Sequence, residues 1–153
     1  MSEALHQTKP FRSRRQEAIL ALLLTTDAVR RRFADILGAR GDLTLQQYNV
    51  LRILRGAGVA GLPTLAIPDR LVERAPGITR LIDRLASKGL VERDRSPEDR
   101  RQVVCKITKA GLRELEELDE AMDGLDDMCL DCLTPGEVAT WIRLLNKVRI
   151  HQP

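Results

Sequence analysis

The sequence predicts a mainly α-helical protein with one small β-hairpin, an α+β fold, on three observations. Apolar residues recur at threes and fours along most of the chain, the spacing of buried helical stripes. Only two short runs, Leu90–Arg95 and Arg101–Ile107, read as extended, and Ser96-Pro97-Glu98-Asp99-Arg100 between them has strong turn chemistry. Just ahead of this hairpin, Ile78, Leu81, Ile82 and Leu85 form the apolar back of a helix, with Thr79, Arg80, Asp83, Arg84 and Ser87 on its front. A helix exposing Thr and Arg beside a basic hairpin is the layout of a winged helix-turn-helix.

Taken in order, residues 1–11 look loose, with Pro10 marking a break. A helix follows from Arg12 to Leu37, carrying Ile19, Leu20, Val29, Phe33, Ile36 and Leu37, and Gly38 and Gly41 should end it. Between Ala18 and Leu24 its apolar residues occupy more than one face, a surplus that suggests a partner surface. Thr44 is an N-cap for a helix to about Arg55, with Leu45, Tyr48, Leu51 and Ile53 or Leu54 facing inward. The glycine-bearing segment 56–61 makes a loop, leading to a two- or three-residue strand at Leu62. Thr64–Glu73 should be the first helix of the helix-turn-helix, and Pro68 inside it removes a backbone donor and should shorten or bend it. The turn runs through Arg74-Ala75-Pro76-Gly77 and starts the second, recognition helix. Gly89 supplies the left-handed residue past that helix. Thr108 caps a long helix with Leu112, Leu115, Leu118, Met122, Leu125 and Cys129 along one stripe. Thr134, Pro135 and Glu137 then approach a capping box for a last helix striped by Val138, Trp141, Ile142, Leu145 and Val148.

Four runs carry a resemblance: Thr79-Arg80-Leu81-Ile82-Asp83-Arg84-Leu85, Gly89-Leu90-Val91-Glu92-Arg93, Ser96-Pro97-Glu98-Asp99-Arg100-Arg101 and Ile107-Thr108-Lys109-Ala110-Gly111. Together they resemble the MarR family of bacterial transcriptional regulators, from whose usual pattern Pro68 departs. The resemblance implies a winged helix-turn-helix DNA-binding lobe over residues 43–108, with dimerisation helices over 1–40 and 109–153. It further implies a homodimeric, ligand-responsive repressor on a pseudo-palindromic operator, a two-fold protein matching two-fold DNA. Thr79, Arg80, Asp83 and Arg84 are then the DNA-facing residues of the recognition helix, and Asp99, Arg100 and Arg101 those of the wing. Arg80 and Arg84 stand one turn apart, and arginine can bond bidentately to guanine in the major groove. Thr79 could meet a phosphate or a thymine methyl. In proteins of this kind Arg101 would enter the minor groove, while Asp99 would steady the wing by pairing with a basic residue. Arg93, Arg95 and Lys106 would serve phosphates or stay solvated. A small-molecule effector pocket is implied between lobe and dimer helices, and no residue of it is legible in the sequence.

Charge supports a polyanion partner. The net value is only +3, but residues 64–111 hold 11 Lys/Arg against 7 Asp/Glu, and residues 112–137 one Arg against 10 Asp/Glu. The four aromatics, Phe11, Phe33, Tyr48 and Trp141, are too few for a base-stacking platform, which favours duplex over single strands. At 153 residues the length suits one domain, or one domain with dimerising extensions. Enzyme chemistry is not expected: His6 and His151 lie near the ends, and no phosphate loop or paired-histidine motif occurs. No cofactor or metal is expected either. The apolar run Ala18–Leu24 is too short for a bilayer, the chain is polar until Ile19, and three cysteines suggest a reducing cytoplasm. Cys129 and Cys132 leave open a thiol- or metal-responsive switch, against their burial as small hydrophobes. A winged-helix module that binds protein instead of DNA is the other reading.

Overall fold

The structure, a computed structural model, describes residues 10–40, 42–72, 77–95 and 102–151. Its elements are α1 (Arg14–Arg40), α2 (Leu45–Ala57), β1 (Leu62–Pro63), α3 (Ile78–Ser87), β2 (Val91–Arg95), β3 (Val103–Ile107), α4 (Lys109–Leu130) and α5 (Pro135–Ile150). The sheet runs β1-β3-β2, antiparallel throughout, with Val91 opposite Ile107, Arg95 opposite Val103 and Leu62 opposite Cys105.

Apolar burial organises the molecule around α2, α3, α4 and the hairpin. Leu51, Leu54, Ile67, Ile82, Leu85, Cys105, Leu115 and Leu118 are all sealed from water, and Leu37 brings the end of α1 onto them. The α4 stripe therefore buries Leu115, Leu118, Met122 and Leu125 as its spacing predicts. Thr44 forms a full capping box with Gln47 at the start of α2, and Thr134 forms one with Glu137 at the start of α5.

Helix α3 ends as its sequence requires. Gly89 sits at φ +70°, its N–H bonds to the Ala86 carbonyl at 2.9 Å, and the Leu90 N–H reaches the Leu85 carbonyl at 3.0 Å. This is the paired closure of a Schellman motif, with Leu90 buried beside it. Thr108 locks the next junction. Its N–H bonds to the Leu90 carbonyl (3.0 Å), its hydroxyl donates to the Gly89 carbonyl (2.7 Å), and the same hydroxyl accepts from Gly111 N (3.0 Å) as the α4 cap.

Several expectations need correction. In place of a helix over Thr64–Glu73 there are two 3₁₀ turns, Thr64–Ala66 and Pro68–Arg70, with Leu71 already extended and Glu73 outside the described residues. Pro68 is the cause: an α-helix would bond the Thr64 carbonyl to the N–H of residue 68, which proline lacks. That carbonyl takes Ile67 N instead, at 3.4 Å. Helix α1 runs through Gly38 to Arg40, because Gly38 is exposed and a single glycine costs a helix only about 1 kcal/mol. The hairpin strands begin at Val91 and Val103, the chain at Leu90 being held in the helix closure. Finally, Cys129 is only half-buried, since the sealed part of the α4 stripe stops at Leu125, and Cys132 is exposed past the helix end at Leu130.

Candidate nucleic-acid interface

On α3, Leu81, Ile82 and Leu85 enter the core, which turns Thr79, Arg80, Asp83, Arg84 and Ser87 outward, all of them exposed. Arg80 and Arg84 have no ion-pair partner among the described residues, so both guanidiniums stand ready for an external acceptor. Asp83 differs: its Oδ1 accepts a hydrogen bond from Arg93 Nη1 on β2. The sequence offers no sign of this pair, which joins a helix to a strand ten positions on.

The hairpin is two-faced. Strand alternation places Val91, Arg93 and Arg95 toward the α3 side, and Glu92 and Asp94 on the other. Lys106 lies opposite Glu92 on that second face, with its Nζ 3.8 Å from Asp94 Oδ2. Of the three strand cations, Lys106 is thus drawn to the acidic face and Arg93 is tied to Asp83. Arg95 is exposed with no ion-pair partner among the described residues. The wing-tip residues Asp99, Arg100 and Arg101 lie outside the described residues.

Two further ion pairs link separate elements. Lys88 at the end of α3 bonds Asp42, both at the carboxylate (2.9 Å) and at the backbone carbonyl, anchoring α3 to the α1–α2 connection. Arg55 on α2 bonds Asp119 on α4 at 2.7 Å across 64 residues of sequence, and this hydrogen bond holds the guanidinium pKa above its ordinary value. Beside it, burial raises the Tyr48 phenol, and the Arg52 guanidinium sits 5.7 Å from the Tyr48 ring centroid.

A cavity of about 590 Å³ opens between α1, α2, α5 and the chain at Leu71 and Val72. Phe33, Leu45, Trp141 and Leu145 supply apolar walls, with Asn49, Arg30 and Arg52 among the polar groups. Sequence reasoning could not name these residues, since they converge from four separated segments. Among the described residues no three His, Cys, Asp or Glu side chains group as a metal site, and no helix is long and apolar enough to cross a membrane.

Comparison with known proteins gives this geometry its relatives. The MarR family model matches residues 43–103. The multiple antibiotic resistance protein MarR of Escherichia coli K12 is 35% identical over 108 residues, covering 70% of this chain and 74% of that one. The solved MarR transcription factor from Planctomyces limnophilus is 42% identical, covers 90% of this chain and 98% of its own, and superposes with a TM-score of 0.69. A cysteine-to-serine mutant of E. coli MarR, solved in complex with operator DNA, is 32% identical and has a TM-score of 0.76, with 84% of this chain and 90% of that one covered. The cap, closure and hairpin signatures read from the sequence, the winged arrangement of α3 with β2 and β3, and these relatives agree: the chain belongs to the MarR family of transcriptional regulators.

Proposed function

We propose that the protein binds a pseudo-palindromic duplex operator as a homodimer and represses transcription until a small molecule releases it. The observation that carries the reading is the exposed face of α3, where Arg80 and Arg84 stand unpaired among the described residues and next to a hairpin that turns Arg95 the same way. The major groove admits such a helix, and unpaired arginines on it can read guanine edges. Thr79 serves a phosphate or a thymine methyl, Arg101 enters the minor groove, and Asp99 and Arg100 shape and charge the wing around it. The E. coli relative bound to operator DNA supports the same use of the fold. Residues 43–108 are the reading lobe, and residues 1–40 with 109–153 the dimerisation helices. The cavity beneath α2 and α5 is the effector site: its apolar walls suit a hydrophobic body, and Arg30 and Arg52 suit an acidic group on it.

One binding series tests this. A duplex recovered by the protein from a random pool should lose on the order of a thousandfold in affinity between about 50 and 200 mM salt. At fixed salt, Arg80→Ala and Arg84→Ala should each cost about 1–3 kcal/mol on that duplex and less on a scrambled one. Arg101→Ala should weaken both duplexes and flatten the preference for A·T-rich flanks. Weak binding to every duplex at low salt would overturn the reading in favour of a protein-interaction module. Trp141 is the single tryptophan and lines the cavity, so effector entry should change its emission in parallel with DNA release. Release with unaltered emission would place the effector elsewhere.

A further inference from the structure

Asp83 is the one carboxylate on α3, and it sits between two arginines on the face turned outward. On a surface meant for phosphates a lone carboxylate is costly, because like charges at close range repel. It could still serve as an acceptor for a cytosine amino group. The structure points to another role, since Asp83 Oδ1 is already occupied by Arg93 Nη1.

The position of Arg93 decides what the pair does. It is the central residue of β2 and lies opposite Cys105, the residue through which β3 is sealed into the core. Val91, before it, is buried, whereas every residue of β2 from Glu92 onward is exposed. Arg93 therefore stands where the hairpin leaves the protein body. The Lys106–Asp94 pair ties one strand of the hairpin to the other and does not fix it to the helix. Among the described residues the Asp83–Arg93 pair is the side-chain ion pair that spans α3 and the wing. Its side chains are 52% and 31% exposed, so it contributes little to the stability of the fold.

We infer that Asp83 and Arg93 are positioning residues, which set the angle between recognition helix and wing so that both engage the duplex together. This rests on the DNA-binding reading above. Asp83 then does not read a base, and Arg93 does not serve a phosphate.

The test compares Asp83→Asn, Arg93→Gln and the double variant with wild type, on the selected duplex and on a scrambled one, across a salt series. Each single variant should weaken the selected duplex about threefold to tenfold, more than the scrambled one, and the double variant should be no worse than the weaker single, as coupled residues require. The salt slope of Arg93→Gln should match wild type. Because removing a negative charge beside DNA would by itself tighten binding, the sign for Asp83→Asn is decisive. Tighter or unchanged binding overturns the inference. So do additive losses with a salt slope smaller by about 0.9, the mark of a lost phosphate contact at Arg93. Arg93→Lys, which keeps the charge without the planar fork, should show an intermediate loss and guards against misfolding of the glutamine variant. A wild type that fails to discriminate the two duplexes overturns the DNA reading and the positioning role together. A discriminating wild type with idle variants overturns the positioning role alone.

Discussion

Gly111 has no room for a side chain. A Cβ built there would lie 2.4 Å from the Leu90 carbonyl oxygen and 2.7 Å from Ile107 Cγ1, where α4 starts against the end of the hairpin. That carbonyl is the acceptor for Thr108 N, so it cannot retreat without breaking the lock between recognition helix and α4. Gly61 is confined in the same way, since a Cβ there would lie 2.4 Å from the Cys105 carbonyl oxygen, and it also holds φ +66°. Gly111→Ala should destabilise by about 1–3 kcal/mol, the usual range for overpacking, seen as a lower denaturation midpoint. Since the clash lies behind the reading head, the folded fraction should still carry Arg80 and Arg84 outward. A midpoint equal to wild type would mean that the junction is looser than these contacts require.

Among the elements, α5 shows how a local signal starts a helix that its own protomer scarcely buries. The Glu137 carboxylate accepts from Thr134 N at 2.9 Å and from the Thr134 hydroxyl at 2.8 Å, and these bonds lower its pKa. A folded pKa below the unfolded one means that the contribution is present above the ordinary glutamate value of about 4.3 and is lost as pH falls through the lowered one. Glu137→Gln retains an acceptor oxygen without a titrating proton. Protection of the amides in the first turn of α5, taken relative to intrinsic exchange at each pH, should therefore fall on acidification in wild type and fall less in the variant; equal responses would refute the assignment. The 64–72 segment shows the opposite situation, a local signal that prevents a helix. Pro68 leaves two 3₁₀ turns where the helix-turn-helix pattern expects a continuous helix, and Ile67 between them still reaches the core.

For the whole molecule, the unburied apolar surface is the main argument for assembly. Helix α5 buries none of its residues, although Ile142, Leu144, Val148 and Ile150 lie along it, and Ile19 and Leu23 on α1 are about 60% exposed. Apolar helix faces left in water mark contact surfaces, and a second copy of the chain would cover both in a two-fold arrangement. Light scattering at micromolar concentration should report about twice the 17.2 kDa chain mass. Ile142→Glu with Ile19→Glu should shift the mass toward one chain and weaken operator binding with it. A wild-type monomer would sink the dimer.

The sequence alone determined whatever depends on near neighbours in the chain. The α3 stripe, the Gly89 closure, the caps at Thr44, Thr108 and Thr134, the hairpin and the outward turn of Arg80 and Arg84 all follow from spacing and from dihedral or hydrogen-bonding preferences within a few residues. Only the tertiary structure decided what depends on segments meeting. Asp83, one of the residues expected to face DNA, pairs with Arg93, Lys106 was drawn to the acidic wing face, and Arg55 found Asp119 on α4. The cavity wall gathered Phe33, Leu45, Leu71 and Trp141 from four places. Charged side chains at exposed positions carry no periodicity that names a partner, and cavities are the space left between packed helices. Both therefore depend on packing angles and distances that no local run of residues specifies.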